Sequence, residues 1–270
     1  VICLDKVAAL HERMAQDGYL LLRGLIDRGK VLKARKTVLK FLEEHNALVP
    51  DTPLLEGVMG RSPKMMGRKG IQHHPDVLAV LEGDELFRFF ERFFSAPAIT
   101  FKYKWLRAVG NEEYTGAHMD FVYMGRGSGN LHTTWIPLGD IPMEQGTLVM
   151  CAGSHRLDSF ARIRETYGTM DVDRDRIEGW FSKDPLEISE KYSGNWVSGD
   201  FRAGDVMIFG MHTMHASTTN LTNRFRLSCD VRFQPASDPM DERWKADGVG
   251  HTASVSALKS MTEARAEWGV

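Results

Sequence analysis

The sequence predicts a mainly β protein with flanking α-helices, on three observations. Apolar residues recur at helical spacing up to about residue 98,. From about residue 99, short β-branched or aromatic runs are separated by Gly, Pro, Asn and Asp,. No internal repeat, low-complexity tract or linker divides the chain. A single domain over 1–270 is therefore expected: a helical region of about 1–98 packed on a β core of about 99–234, then a tail over 235–270.

In order, Leu4, Val7, Leu10 and Met14 precede the breaker Gly18 at helical spacing, and Val31, Leu32, Val38, Leu39, Phe41 and Leu42 repeat the pattern before His45,. Between these two amphipathic helices, Tyr19–Arg23 is an apolar run too short for a helix and reads as a buried strand,. Residues 48–69 carry Pro50, Pro53, Pro63, Gly57, Gly60 and Gly67 without periodicity, so a long loop is expected,. Its basic cluster Arg61, Lys64, Arg68 and Lys69 reads as a solvated surface rather than an anion-binding lid,. Pro75 opens a helix through Leu78, Val80 and Leu81, and Leu86, Phe89, Phe90, Phe93 and Phe94 continue a helical apolar face. Strands are expected over 99–109, 131–138, 146–150, 206–209 and 227–233,. A helical stretch and a charged segment interrupt them between Asp158 and Trp180, and one helix is expected near Ser254–Trp268.

A hydrophobic fraction of 43 % permits a sizeable core, while a formal charge of −2 offers no global attraction to phosphate backbones or anionic lipid,. Nucleic acid and membrane partners are not expected. No run approaches the roughly 18 apolar residues of a spanning helix, and the charged opening segment does not read as a signal peptide,. A cytoplasmic location is expected. Cys3, Cys151 and Cys229 are odd in number and far apart, so they read as small buried side chains rather than disulfides or a thiolate site,.

The chemistry lies in Thr115-Gly116-Ala117-His118-Met119-Asp120. On an extended backbone, positions 118 and 120 face the same way and can converge on one ion. A further imidazole is expected at the exit of the apolar strand 206–209, where His212 and His215 both stand. Two histidines and one carboxylate make the facial set of non-haem Fe(II) oxygenases, which leaves positions open for a cosubstrate and dioxygen. The same set also serves catalytic zinc, so a zinc hydrolase and a metal-binding protein without redox chemistry stand as alternatives. Ser217 and Arg226 follow, and an arginine there offers a bidentate fork to a carboxylate,.

Taken together, His118-Met119-Asp120, the strand ending in Trp135, Gly146–Met150 leading into Gly153-Ser154-His155-Arg156, and His215-x-Ser217 with Asn220 and Arg226 resemble the phytanoyl-CoA dioxygenase family of Fe(II)- and 2-oxoglutarate-dependent oxygenases. The resemblance spans roughly residues 99–234. It implies a double-stranded β-helix, a jelly-roll of cupin-like type, with iron held by His118, Asp120 and His215. The spacing of Ser217 and Arg226 selects His215 over His212, and the resemblance assigns those two residues to the distal carboxylate of 2-oxoglutarate. Trp135 matches a position lining the cosubstrate pocket, and Lys102, with Lys104 as its rival, and Thr133 are further cosubstrate contacts. Related halogenases carry a small residue where Asp120 stands, so hydroxylation of a small or medium organic molecule is implied, with release of succinate and CO2.

Residues 121–130, with Tyr123, Arg126 and three glycines, read as a flexible loop beside the ligands, and the resemblance implies that it contacts the substrate, through Tyr123 and through Arg126, which can meet an anionic group. Trp196 reads as a further substrate contact, and His212 reads either as a substrate contact lining the pocket or as structural. The adjacent pair His73-His74 points apart and is not expected to bind metal, His155 reads as structural, and His132 faces away from the pocket.

Overall fold

Alternation along a pleated backbone lets one strand face a core on one side and a site on the other. The β runs of this chain use it. A computed structural model describes residues 7–60, 70–245, 248–252 and 258–270. Helix α1 (Val7–Asp17), strand β1 (Tyr19–Leu22) and helix α2 (Arg28–Glu44) open the chain, followed by α3 (Pro75–Leu81) and α4 (Asp84–Phe94). Then come β2 (Ala98–Thr100), β3 (Trp105–Val109), α5 (Phe121–Met124), β4 (His132–Pro137) and β5 (Leu148–Ala152). The short helices α6 (Ala161–Glu165), α7 (Val172–Asp175) and α8 (Pro185–Tyr192) precede β6 (Asn195–Val197), β7 (Val206–Gly210), β8 (His215–Ser217), β9 (Arg226–Pro235) and α9 (Met261–Trp268).

The major sheet runs β1-β7-β4-β9-β2, with β3 also on β9, and the minor sheet runs β6-β5-β8. Every named pair is antiparallel. This is the double-stranded β-helix that the sequence implied. Trp135, Leu148, Met150, Met207 and Phe209 fill the space between the sheets. On the outer face of the major sheet, a second cluster joins Leu39 and Phe90 of the N-terminal helices to Ile208, Val231 and Phe233.

Local chemistry explains the helix starts. The Asp27 carboxylate accepts the Lys30 N–H at 2.9 Å and caps α2, an interaction worth about 1 kcal/mol. Asp184 caps α8, where Pro185 occupies the first turn,. That helix was not expected, although its cap and proline are a legible start signal.

Two expectations are corrected. The strand expected over 99–109 is broken between β2 and β3, because Lys104 turns inward and is only 1 % exposed. Its ammonium pairs with Glu82 at 2.8 Å, donates to Thr100 Oγ1 at 3.2 Å and donates to the Phe101 carbonyl. A buried ammonium needs such partners, and the backbone bends to supply them. The stretch 121–130 is not an open flexible loop: it begins as α5, and Arg126 is clamped bidentately on Asp171 at 2.6 and 2.7 Å.

The first part of the 48–69 loop is pinned by Met59 N–H donating to the Asn223 carbonyl at 2.8 Å. The basic cluster at 61–69 and Cys3 lie outside the described residues, and Cys151 and Cys229 are buried free thiols. Among the described residues no helix is long and apolar enough to cross a membrane.

Phe90 is fully buried and stacks on Phe233 of β9 at 4.4 Å, fastening α4 to the sheet. Phe90→Ala should cost about 3–5 kcal/mol of unfolding free energy. Urea denaturation followed by circular dichroism checks this, and a loss below about 1 kcal/mol would mean that the contact does not anchor the helix.

Candidate active site

Ala117 and His118 reach the minor-sheet side of the fold through backbone bridges. The His118 N–H donates to the His215 carbonyl at 2.9 Å, and the His215 N–H returns a bond of 2.9 Å. This reciprocal pair faces the two imidazoles toward each other, with ring centroids 4.1 Å apart. Asp120 is not on extended backbone as the spacing argument assumed: it has φ −64° and ψ −20° and heads α5. Its Oδ1 nevertheless lies 3.6 Å from His118 Nε2 and 3.7 Å from His215 Nε2. One ligand atom from each of the three buried residues falls within 4.8 Å of the others, so the trio can hold a metal ion.

The histidine tautomers follow from the backbone. His118 Nδ1 lies 2.8 Å from the Gly116 carbonyl and His215 Nδ1 lies 2.9 Å from the Thr213 carbonyl. A carbonyl can only accept, so each Nδ1 carries the proton and each Nε2 presents its lone pair. Burial, and then the neighbouring His118, push the His215 pKa down to about 3. Burial works to raise the Asp120 pKa, but Arg232 and the two imidazoles outweigh it and hold the carboxyl well below its ordinary value. Arg232 Nη2 donates to Asp120 Oδ2 at 3.0 Å, and the Thr133 hydroxyl donates to the same oxygen. Only Oδ1 is left for an ion.

Arg226 lines the same pocket as the trio and is 2 % exposed. Its Nη1 donates to Ser228 Oγ at 3.0 Å, while Nε and Nη2 have no partner among the described residues. Burial, followed by Arg107, lowers its pKa to about 10. Buried donors left unpaired cost about 1–3 kcal/mol each, so this guanidinium is shaped for an anion. Ser217 Oγ accepts the Thr115 N–H at 2.8 Å and keeps its own hydrogen to donate, and Trp135 lies 6.0 Å from the Arg226 guanidinium. The chemistry of the pocket thus fits a metal at the trio and a carboxylate at Arg226.

Other expected residues stand elsewhere. Lys102 is exposed and outside this pocket, and Lys104 is committed to Glu82, so neither reaches the space between trio and Arg226. Thr133 lines the pocket but spends its hydroxyl on Asp120. Arg126 is held by Asp171. His212 stacks on Phe121 at 4.5 Å with Nε2 3.1 Å from the Gly168 carbonyl, and it opens on a different groove. The Trp196 indole donates to the Pro185 carbonyl at 2.8 Å and packs under the minor sheet rather than in the pocket. Tyr123 meets the His118 ring edge-on at 5.7 Å. His132 packs against Phe93 and Phe94, away from the pocket, and His155 contacts the Ala15 carbonyl.

Sequence reasoning missed Arg107, Asp230 and Arg232. The signal was available, because Ser228, Asp230 and Arg232 alternate onto the face of β9 that carries Arg226,. Arg107 Nε donates to Asp230 Oδ2 at 2.9 Å, and Arg232 lies 4.1 Å over the Trp105 ring, its Nε and Nη1 without a hydrogen-bond partner among the described residues. Arg232→Met should release Asp120 Oδ2 and weaken divalent-metal affinity about 10–100-fold. Metal titration by calorimetry checks this; an unchanged affinity would mean that Thr133 alone orients the carboxylate.

The sequence profile of the phytanoyl-CoA dioxygenase family matches residues 14–228. Among curated proteins, a 1-deoxypentalenic acid 11-beta-hydroxylase of Streptomyces arenae is 26 % identical over 248 residues, covering 87 % of this chain and 83 % of that protein. Its namesake from Streptomyces exfoliatus is 25 % identical over 260 residues, with the same coverage of 87 % and 83 %. Among solved structures, the epimerase SnoN of nogalamycin biosynthesis, in complex with Fe3+, alpha ketoglutarate and nogalamycin RO, superposes with a TM-score of 0.60 at 20 % identity over 87 % of this chain and 86 % of its own. EctD from S. alaskensis gives a TM-score of 0.62 at 16 % identity over 94 % and 87 %. With the profile covering most of its length, the chain belongs to the phytanoyl-CoA dioxygenase family.

Proposed function

We propose that the chain is an Fe(II)- and 2-oxoglutarate-dependent dioxygenase that hydroxylates a small, largely apolar organic acid. The observation that carries this reading is the pairing, in one pocket, of a buried His-Asp-His trio with a buried arginine whose Nε and Nη2 lack partners. A zinc-bound water would need no such anchor. The hydroxylase relatives act on 1-deoxypentalenic acid, which supports both the reaction and the substrate class.

In this reading His118 Nε2, His215 Nε2 and Asp120 Oδ1 hold the iron, while Thr133 and Arg232 keep Asp120 Oδ2 turned away. Arg226 and Ser217 bind the distal carboxylate of 2-oxoglutarate, and Trp135, 2 % exposed, walls that end against water,. When bound, iron and 2-oxoglutarate supply, with dioxygen, an oxidative decarboxylation to succinate and CO2 and the power to remove a substrate hydrogen. The residues contribute orientation and a dry, charge-matched pocket. Asp120 fills the carboxylate position that halogenating relatives leave to chloride, which supports hydroxylation.

Under anaerobic conditions, protein with Fe(II) and 2-oxoglutarate should develop a visible charge-transfer band, and aerobic turnover should release succinate. Asp120→Ala and His215→Ala should remove both signals. If folded, metal-loaded wild-type protein shows no band, the reading is wrong. Arg226→Met should keep the metal but lose about 2–5 kcal/mol of 2-oxoglutarate binding; equal cosubstrate affinity in the variant would relocate the anchor.

A further inference from the structure

Among the described residues strand β3 pairs with β9 alone, so it forms an edge of the major sheet. Its outward residues Leu106 and Ala108 pack against the helical core. Trp105, Arg107 and Val109 alternate onto the opposite face, toward the space between the sheets, yet all three are only half-buried,. Their direction is fixed by β9: Trp105 lies under Arg232, Arg107 pairs with Asp230, and Val109 stands opposite Arg226 in the register. Solvent therefore reaches the interior along β3, and these three side chains form the lip of that mouth.

Arg107 lines the same pocket as His118, Asp120 and His215, so a molecule held by it shares the space into which the metal ligands point. Its side chain is 39 % exposed, whereas Arg226 and Arg232 are buried. Nε and Nη2 each lie 2.9 Å from Asp230 Oδ2, and among the described residues Nη1 forms no hydrogen bond. The lining sets three guanidinium groups, of Arg107, Arg226 and Arg232, against two carboxylates, of Asp120 and Asp230. Iron(II) and the 2-oxoglutarate dianion cancel one another, so one positive charge stays in surplus when both are bound. Glu113, outside this lining, is exposed and accepts the Gly110 N–H at 2.7 Å. A surplus cation at the rim of a largely buried pocket favours an anion there.

We propose that this mouth is the substrate subsite, in which Arg107 binds the carboxylate of a monoanionic acid and Trp105 and Val109 flank its apolar body. The proposal rests on the oxygenase reading and adds the residue that selects the substrate. Asp230, by gripping Nε and Nη2, holds the guanidinium in place before the acid arrives, so little side-chain freedom is lost on binding.

The test uses the full chain with Fe(II) and 2-oxoglutarate under anaerobic conditions, titrated by calorimetry with cyclohexanecarboxylate, cyclohexylmethanol and cyclohexylmethylamine. The carboxylate should bind up to about tenfold more tightly than the alcohol, and the amine should bind worst. Arg107→Gln should abolish the preference for the carboxylate. Because that change strands the Asp230 carboxylate, Arg107→Gln combined with Asp230→Asn is measured too, and it should show no preference either. Affinity for 2-oxoglutarate should fall by less than about threefold in both variants; a loss as large as that of the carboxylate would hand Arg107 to the cosubstrate and overturn the proposal. A carboxylate preference that survives in both variants, or no binding of any probe to the wild-type protein, would also overturn it. The visible band is recorded in parallel and should shift when the carboxylate binds; binding that leaves the band unmoved would place the acid away from the metal and sink the subsite. A normal band without carboxylate preference defeats this inference alone, whereas a missing band defeats the oxygenase reading.

Discussion

Strand β9 is buried along its whole length, yet it carries Arg226, Asp230 and Arg232 on one face. Withdrawing each such charge from water costs several kcal/mol unless it is matched, and that constraint organises the interior between the sheets. Arg107 answers Asp230, and Arg232 answers Asp120 and lies over Trp105. Among the described residues, Arg226 is answered by Ser228 Oγ alone. One cation is thus left incompletely matched at one end of the pocket, and one carboxylate oxygen is left open at the other. The opposite face of the same strand presents Leu227, Cys229, Val231 and Phe233 to the helices, so the strand that carries the charges is held down by a dry core.

The trio depends on backbone more than on side-chain packing. The reciprocal bonds between His118 and His215 fix the separation of the two rings, and the carbonyls of Gly116 and Thr213 fix which nitrogen each ring presents. Both carbonyls sit two residues before the imidazole they orient. Each ring is therefore tied to its own local chain, and a bend in either segment would move carbonyl and imidazole together.

Features governed by local pattern were legible in the sequence, and those governed by distant partners were not. The apolar periodicity of α2 and α4 and the runs of β7 and β9 appear as expected. The grouping of His118, Asp120 and His215 followed from spacing and resemblance, but the assumed extended backbone at Asp120 did not, because α5 begins there. Lys102 looked equivalent to Lys104 until the tertiary pairing of Lys104 with Glu82 broke the strand. Arg126 looked available until Asp171, from a different element, was brought against it. Long-range ion pairs leave no local signature in sequence. Arg232 is the instructive miss, since counting by twos from Arg226 was enough to place it.

The wall around Tyr123 has a different character from the β core. Asp171, Asp173 and Asp241 gather Arg126 and Arg243, and the same Asp173 holds His251 and the Thr252 backbone. Short helices and irregular segments are thus joined by ion pairs at the edge of the molecule's reactive machinery, while the strands that bear the trio and Arg226 are fixed by ladders and core packing. Residues 172–175 therefore answer to ion pairs, whereas Phe181 and Ser182 are tied by backbone bonds to Ala117, beside the trio.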